Sequence, residues 1–449
     1  MKRQSYAEFS LGLHQRLYRH RIPLNGAIEV TRRCPLECAH CYNNLPMGDV
    51  DARRSELTYE EHCRLLDEIT EAGCLWLLYS GGEIFARKDF LSIYAYAKQK
   101  GLFITLFTNG TLITPKIADF LADHRPFAIE ITLYGRTKET YERLTGIPGS
   151  YERCMNGIRL LMERGLPLAL KTVGVTINKH EIWDMQRFAE EDLGLEFKFD
   201  SMVNPRIDCS QSPLAVRLTP EEVVELDLQD PERVAEWKQM HANFVRPVLP
   251  PQHSDEVYHC GGGANAFAID PQGRISICVI SHKDTYDWRT GSFREGWEQF
   301  LSKLRRKKIT RITKCIACGI KAMCTMCPAN GELEHGDSEE PVDFFCHVTH
   351  LRAHALDLPV PPHGDCIYCE GGAAYPEVVR AAAALRTGGA DFAGEPTRRT
   401  SRSLPIVRNE VPLATVGCSS GGCTSCGTAQ RTASSPSAGS GPRAESTGK

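Results

Sequence analysis

Between residues 26 and 200 short apolar runs alternate with longer amphipathic stretches. The runs at 27–30, 75–79, 103–107, 128–133, 168–175 and 196–199 are apolar or rich in β-branched residues. Each has the length of a strand. The stretches between them carry helix start and stop signals. Thr58-Tyr59-Glu60-Glu61 is a capping box, in which the Thr58 hydroxyl takes the Glu61 amide and the Glu61 carboxylate reaches back. Cys63, Leu66 and Ile69 follow on one face, and Gly73 closes the pattern. Thr114-Pro115 puts proline at a first helical position, and Gly101, Gly165 and Gly194 each end a helical pattern before the next run. Strand and helix in regular succession predict an α/β fold, a partial (β/α)6 barrel of TIM type over residues 24–205. Such folds place their chemistry at the carboxyl ends of the strands.

Three further regions follow. Residues 206–255 read as a bridging helical region, with a second capped start at Thr219-Pro220-Glu221-Glu222. Residues 256–350 are rich in cysteine and form a second, small unit. Residues 375–449 are rich in Ala, Gly, Ser, Thr, Pro and Arg with little periodicity, which predicts a disordered tail. The roughly 25 residues before the first strand are fewer than the ~50 of an ordinary domain. A peptide substrate would then be recognised by the barrel, the bridge or a separate partner.

Composition narrows the function classes. The formal net charge is −3, so nothing points to nucleic acid or an anionic membrane surface as a partner. No apolar stretch reaches the ~18 residues of a spanning helix. The basic start Met1-Lys2-Arg3 is not followed by a signal-peptide core, which predicts a cytoplasmic protein. Nineteen cysteines are many for that compartment, where disulfides are reduced. Metal or cluster ligation accounts for them and predicts oxygen sensitivity.

The first strand leads directly into Thr31-Arg32-Arg33-Cys34-Pro35-Leu36-Glu37-Cys38-Ala39-His40-Cys41-Tyr42. Three thiolates at C-x3-C-x2-C spacing can hold three irons of a [4Fe-4S] cube and leave the fourth iron open to a small molecule. Plain core thiols or a zinc site are the alternatives. Zinc prefers four ligands in separated pairs, and the available fourth ligand, His40, is squeezed between Cys38 and Cys41.

The loop, with an aromatic Tyr42 after its last cysteine, resembles the signature of the radical SAM superfamily. The resemblance implies the partial barrel again, and an open iron chelated by S-adenosylmethionine (SAM). It implies one-electron cleavage to a 5'-deoxyadenosyl radical that abstracts hydrogen from a substrate. It also implies a low-potential electron donor such as a flavodoxin or ferredoxin. Ser80-Gly81-Gly82-Glu83, one βα unit later, resembles the family's Gly-Gly-Glu motif, whose carboxylate holds the SAM amino group; taken alone, such a segment is also an ordinary turn. Thr108-Asn109-Gly110 is a turn signal and also resembles the segment beneath the methionine and ribose. Thr132 stands where related enzymes carry a ribose-binding hydroxyl. Arg143 resembles an arginine that meets the SAM carboxylate; a solvated helix-face charge is the alternative. Asn178 and Asp200 end the fifth and sixth strands with no assigned role.

A second set comprises Cys260, Cys278, Cys315, Cys318, Cys324, Cys327 and Cys346. Its inner part reads C-x2-C-x5-C-x2-C, too closely spaced for the two pairs of a zinc ribbon. The set resembles the SPASM extension of radical SAM enzymes, one residue short before Cys327. By that resemblance Cys260, Cys278 and Cys327 bind a first auxiliary [4Fe-4S] cluster, and Cys315, Cys318, Cys324 and Cys346 a second. Auxiliary clusters suit net oxidation or cross-linking of a substrate. The implied substrate is a ribosomal peptide or protein side chain; a cofactor precursor such as a tetrapyrrole is the enzymatic alternative, and a non-catalytic iron–sulfur electron carrier the alternative of another class. Two cysteine groups remain, Cys366-Ile367-Tyr368-Cys369 and Gly417-Cys418-Ser419-Ser420-Gly421-Gly422-Cys423-Thr424-Ser425-Cys426-Gly427. They read as incidental thiols, as a metal-handling tail, or as a peptide substrate carried by the chain itself.

Overall fold

A computed structural model describes residues 6–17, 20–244 and 255–388. Its six central strands are β1 (Asn25–Glu29), β2 (Trp76–Ser80), β3 (Phe103–Thr108), β4 (Ala128–Thr132), β5 (Leu168–Val173) and β6 (Glu196–Asp200). Each pairs in parallel with the next, from Asn25 opposite Trp76 to Val173 opposite Asp200. All six lie where the apolar runs predict them. Helices cross over between them: Tyr59–Glu71, Phe90–Gln99, Pro115–Asp123 and Ser150–Glu163 pack a continuous core against the outer strand faces. The capping boxes at Thr58 and Thr219 form as expected, and Pro115 opens its helix behind Thr114.

The period of two sorts the strand side chains. Ile28, Leu77, Tyr79, Leu106, Ile129, Ile131 and Leu170 face the helices and are buried. The opposite faces turn inward. There Ala27, Leu78 and Phe107 make an apolar wall, and Glu130, Thr132 and Lys171 a polar one. The carboxyl ends of the strands, Glu29, Ser80, Thr108, Thr132, Val173 and Asp200, form the mouth of this lumen.

The cysteine-rich unit is continuous with the barrel sheet. β7 (Ala266–Ile269) pairs in parallel with β1, and β8 (Arg274–Ser276) and β9 (Tyr286–Asp287) continue the sheet antiparallel, giving the order β9-β8-β7-β1-β2-β3-β4-β5-β6. All four residues of β7 are buried, so the strand also covers an edge that β1 would otherwise leave open. Gly26 makes the approach possible: a Cβ there would stand 2.7 Å from the Phe267 ring.

The bridging region carries helices Pro220–Leu228 and Pro231–Phe244. Asp227, on the first of them, is buried and accepts from Arg233 at 2.6 Å and Arg352 at 2.7 Å, tying the bridge to helix Asp343–Ala355.

One boundary moves. The predicted tail from 375 begins with an ordered helix, Tyr375–Gly388, packed on Asp343–Ala355. Its composition reads as low complexity, yet alanine is the strongest helix former, and Val378 and Ala382, one turn apart, are buried. The remainder, 389–449, with Cys418, Cys423 and Cys426, lies outside the described residues. Among those described, no helix is long and apolar enough to cross a membrane.

Candidate active site

The loop Thr31–Tyr42 leaves the end of β1 and is held from every side. Glu37 and Ala39 donate their amides to the carbonyls of Thr145 and Leu144, at the end of helix Lys138–Thr145. Arg206, from the bridge, donates to the Cys41 carbonyl at 3.2 Å and to the Asn44 carbonyl at 2.7 Å, and the Ile207 amide donates to the Tyr42 carbonyl. Arg33 forms a buried bidentate pair with Glu56 at 2.9 and 3.0 Å, and Thr31 donates to the same carboxylate.

The Gly-Gly turn packs closely on backbone. A Cβ on Gly81 would lie 2.1 Å from the Thr31 carbonyl oxygen, and one on Gly82 2.3 Å from that of Arg32. Gly82 and Glu83 donate their amides to Thr31 and Arg33. Gly81 also has φ +143°, a left-handed value that favours glycine. The two glycines thus dock the β2 end onto the backbone that enters the cysteine loop.

Glu83 is buried. It accepts from the Thr108 hydroxyl at 2.7 Å and the Asn109 amide at 2.8 Å, both at the end of β3. Burial pushes its carboxyl above the ordinary range, against these hydrogen bonds. Asn109 then donates its side-chain amide to Cys34 Sγ at 3.5 Å, and the Leu36 amide donates to the same sulfur at 3.4 Å. One network therefore joins the motifs after β1, β2 and β3. Burial pushes the thiols of Cys34, Cys38 and Cys41 above the ordinary cysteine value; Glu83 adds to this at Cys34, and Cys41 at Cys38. Buried thiols of this kind become thiolates when a cation coordinates them. Three of them on one loop, with N–H donors aimed at Cys34, fit an iron–sulfur cluster. Ser80 Oγ, buried at the mouth, has no hydrogen-bond partner among the described residues, leaving a polar group for a ligand.

The other predicted residues are placed as follows. Tyr42 donates its hydroxyl to the buried Glu29 at the end of β1, at 2.8 Å. Thr132 ends β4 on the lumen face, in register with Lys171. Arg143 is exposed on helix Lys138–Thr145, one residue before the carbonyls that receive the cysteine loop. The Asn178 side chain is consumed by the Val175 amide and the Tyr134 and Val173 carbonyls, a structural clamp.

Sequence pattern alone did not single out an acid–base residue, but the lumen holds charged ones. Glu130 pairs with Lys171 and Lys198, each at 3.2 Å, and the Lys171 ammonium lies over the Phe107 ring. Burial draws Lys171 down to about 8, offset in part by Glu130. Burial would raise Glu130, but Lys171 and Lys198 hold it below the ordinary range.

In the second set, Cys315, Cys318, Cys324 and Cys346 line one cavity together with Lys314 and Lys321. A hydrogen bond with Cys346, then Lys321 and Lys314, bring Cys315 down to about 7 against the effect of burial. Cys260, Cys278 and Cys327 come from three segments: the approach to β7, the end of β8, and the N-terminus of helix Pro328–His335. Glu332 on that helix accepts from Ser281 Oγ and from the amides of His282 and Lys283, just beyond Cys278. Tyr258, two residues before Cys260, hydrogen-bonds Ser281. The three segments are therefore pinned around Ser281 and Glu332, neither of which the cysteine spacing points to.

With this geometry in place, similarity to known proteins adds a second line. The Radical SAM superfamily pattern matches residues 28–189. The chain is 30% identical over 337 residues to the AdoMet-dependent heme synthase of Nitratidesulfovibrio vulgaris, covering 70% of this chain and 90% of that one. It is 32% identical over 259 residues to the PqqA peptide cyclase of Rhodopseudomonas palustris, 57% of this chain and 67% of that one. In fold it is similar to Streptococcus suis SuiB bound to precursor peptide SuiA, with a TM-score of 0.57 at 16% identity over 74% of this chain and 78% of that one.

Proposed function

We infer that this chain, which belongs to the radical SAM superfamily, takes a hydrogen atom from a peptide or protein side chain and leaves that substrate oxidised. Bound at the site, SAM and [4Fe-4S] clusters supply hydrogen-atom abstraction driven by one-electron cleavage of SAM, and an acceptor for the substrate's second electron. The observation that carries the reaction class is the hydrogen-bonded network at the strand ends linking Cys34, Asn109, Thr108 and Glu83. In this reading Cys34, Cys38 and Cys41 hold the catalytic cluster. Gly81 and Gly82 fix the turn that presents Glu83, and Glu83, Thr108, Asn109, Thr132 and Arg143 position SAM, with Tyr42 buttressing the loop through Glu29. Cys260, Cys278 and Cys327, and Cys315, Cys318, Cys324 and Cys346, hold auxiliary clusters. A low-potential flavodoxin or ferredoxin in the cytoplasm supplies the electron.

The peptide reading draws its support from relatives named for peptides, the PqqA cyclase by sequence and SuiB by fold. A second reading, a tetrapyrrole precursor, is favoured by one observation. The heme synthase alignment spans 90% of that protein, the cyclase alignment 67% of its own. The test incubates the reconstituted full chain with SAM and dithionite, offering either peptides encoded beside its gene or iron coproporphyrin. The expected product is a peptide lacking two hydrogen atoms, one carried off in 5'-deoxyadenosine, the other released as a proton with its electron passed to an acceptor. SAM is then consumed one for one. A mass change in the porphyrin alone moves the substrate to the second reading. SAM regenerated at each turnover contradicts net oxidation.

Lys171 gives this reading a pH signature. It is a cationic group of the lumen and loses its charge as pH rises through about 8. If it holds an anionic or carbonyl group of the substrate, kcat/KM falls above that pH, and Lys171→Met lowers kcat/KM and removes the falling limb. A limb unchanged in Lys171→Met assigns it to another group.

A further inference from the structure

We propose that His350, His363, Cys366 and Cys369 form a mononuclear zinc site bordering the second auxiliary cysteine set, whose cavity His350 and His363 also line. All four residues are buried, at 1%, 6%, 5% and 4% exposure. Their ligand atoms all lie within 4.8 Å of one another, the one such group of His, Cys, Asp and Glu side chains among the described residues. For a tetrahedral zinc with Zn–S near 2.3 Å and Zn–N near 2.05 Å, the edge between a sulfur and a nitrogen is about 3.6 Å. The observed edges from His350 Nε2 are 3.5 Å to Cys366 Sγ and 3.6 Å to Cys369 Sγ. His363 stands 3.3 Å from Cys369 Sγ through Nδ1 and 3.9 Å through Nε2.

The surroundings select the ligand atom of His350. His350 Nδ1 bonds the Cys346 carbonyl at 2.7 Å, and His363 Nδ1 the Pro361 carbonyl at 2.9 Å. A proton on His350 Nδ1 leaves its Nε2 lone pair turned inward, the outer-shell pattern of metal-bound histidine, whereas His363 Nδ1 faces Cys369 Sγ as well as the Pro361 carbonyl, so either of its ring nitrogens can serve as the ligand atom. The two cysteines sit on a tight turn, with the Cys369 amide donating to the Cys366 carbonyl and the Gly372 amide to that of Cys369. A Cβ at Gly372 would come within 2.3 Å of the Ile367 carbonyl oxygen, so the turn closes only over glycine. Two imidazoles and two thiols packed together out of water are costly unless something joins them. Four protein ligands fill a zinc tetrahedron, which makes the site structural. It would fasten the 361–372 loop, and helix Tyr375–Gly388 behind it, onto helix Asp343–Ala355. That helix also carries Cys346 one turn before His350, so the ion would brace a wall of the second auxiliary set.

The test is zinc analysis with zinc-edge X-ray absorption on the full chain after reconstitution with iron and sulfide. The expected result is one zinc per chain, with two sulfurs near ~2.3 Å and two nitrogens near ~2.0–2.1 Å. Cys366→Ser/Cys369→Ser should lose that zinc and keep its iron. Should this variant fail to fold, Cys369→Ser alone provides the same reading, with zinc lowered and iron retained. Four sulfur neighbours, zinc that survives in the variants, no zinc in the zinc-supplied parent, or iron lost with the two cysteines would each overturn the assignment.

Discussion

Cys34→Ala is expected to abolish SAM cleavage. 5'-Deoxyadenosine formation under dithionite should drop by well over 100-fold, beyond the 10–100-fold that outer-shell changes at metal sites cost. Iron should fall by about four per chain, the content of one cubane cluster. Asn109→Ala is the matched comparison. It removes the N–H that reaches Cys34 Sγ at 3.5 Å and the Oδ1 that accepts from Thr111, but no cluster ligand, so iron should stay while the rate falls within the 10–100-fold range. The difference between the two variants separates a ligand from a group that tunes it. Measuring iron together with deoxyadenosine is sufficient. A Cys34→Ala protein that keeps its full iron and still cleaves SAM would remove Cys34 from the cluster.

The second large effect is on stability. Glu56 accepts both arms of Arg33, the Thr31 hydroxyl, and a longer contact from Arg87 at 3.9 Å, all out of water. Glu56→Ala leaves the Arg33 guanidinium buried without its partner, which typically costs about 3–5 kcal/mol. The urea midpoint should fall accordingly. Because Arg33 precedes Cys34 directly, iron incorporation should fall as well. Arg33→Met/Glu56→Leu removes both charges and should recover most of the stability, since an apolar pair of similar volume replaces a buried ion pair at little cost. A double variant as unstable as Glu56→Ala would show that the pair does more than cancel its own burial.

The parts of the fold that were legible share one property: their signal is local. The strands show as short apolar or β-branched runs, and β1 to β6 lie within a residue or two of the runs that predict them. The cysteine loop, Gly-Gly-Glu and Asn-Gly were found in the same way, as short patterns at strand ends. What was missed depends on pairings over long separations. β7 meets β1 about 240 residues away, and Arg206 clamps a loop 165 residues before it. Glu130 and Lys171 become neighbours only because two strands turn the same faces inward. The Cys366–Cys369 pair was visible, with His363 close before it in sequence, but His350 comes from a helix and sits 16 residues before Cys366. The helix at Tyr375–Gly388 was lost to composition: an alanine run reads as low complexity until Val378 and Ala382 find a helix to pack on.

The central claim, an oxidising radical SAM enzyme with two auxiliary clusters, is tested most directly by iron and sulfide per chain after anaerobic reconstitution. The account predicts about twelve of each, three cubane clusters. About four would leave only the loop of Cys34, Cys38 and Cys41 as a cluster site, and the oxidative chemistry assigned to the cysteine-rich unit would be contradicted.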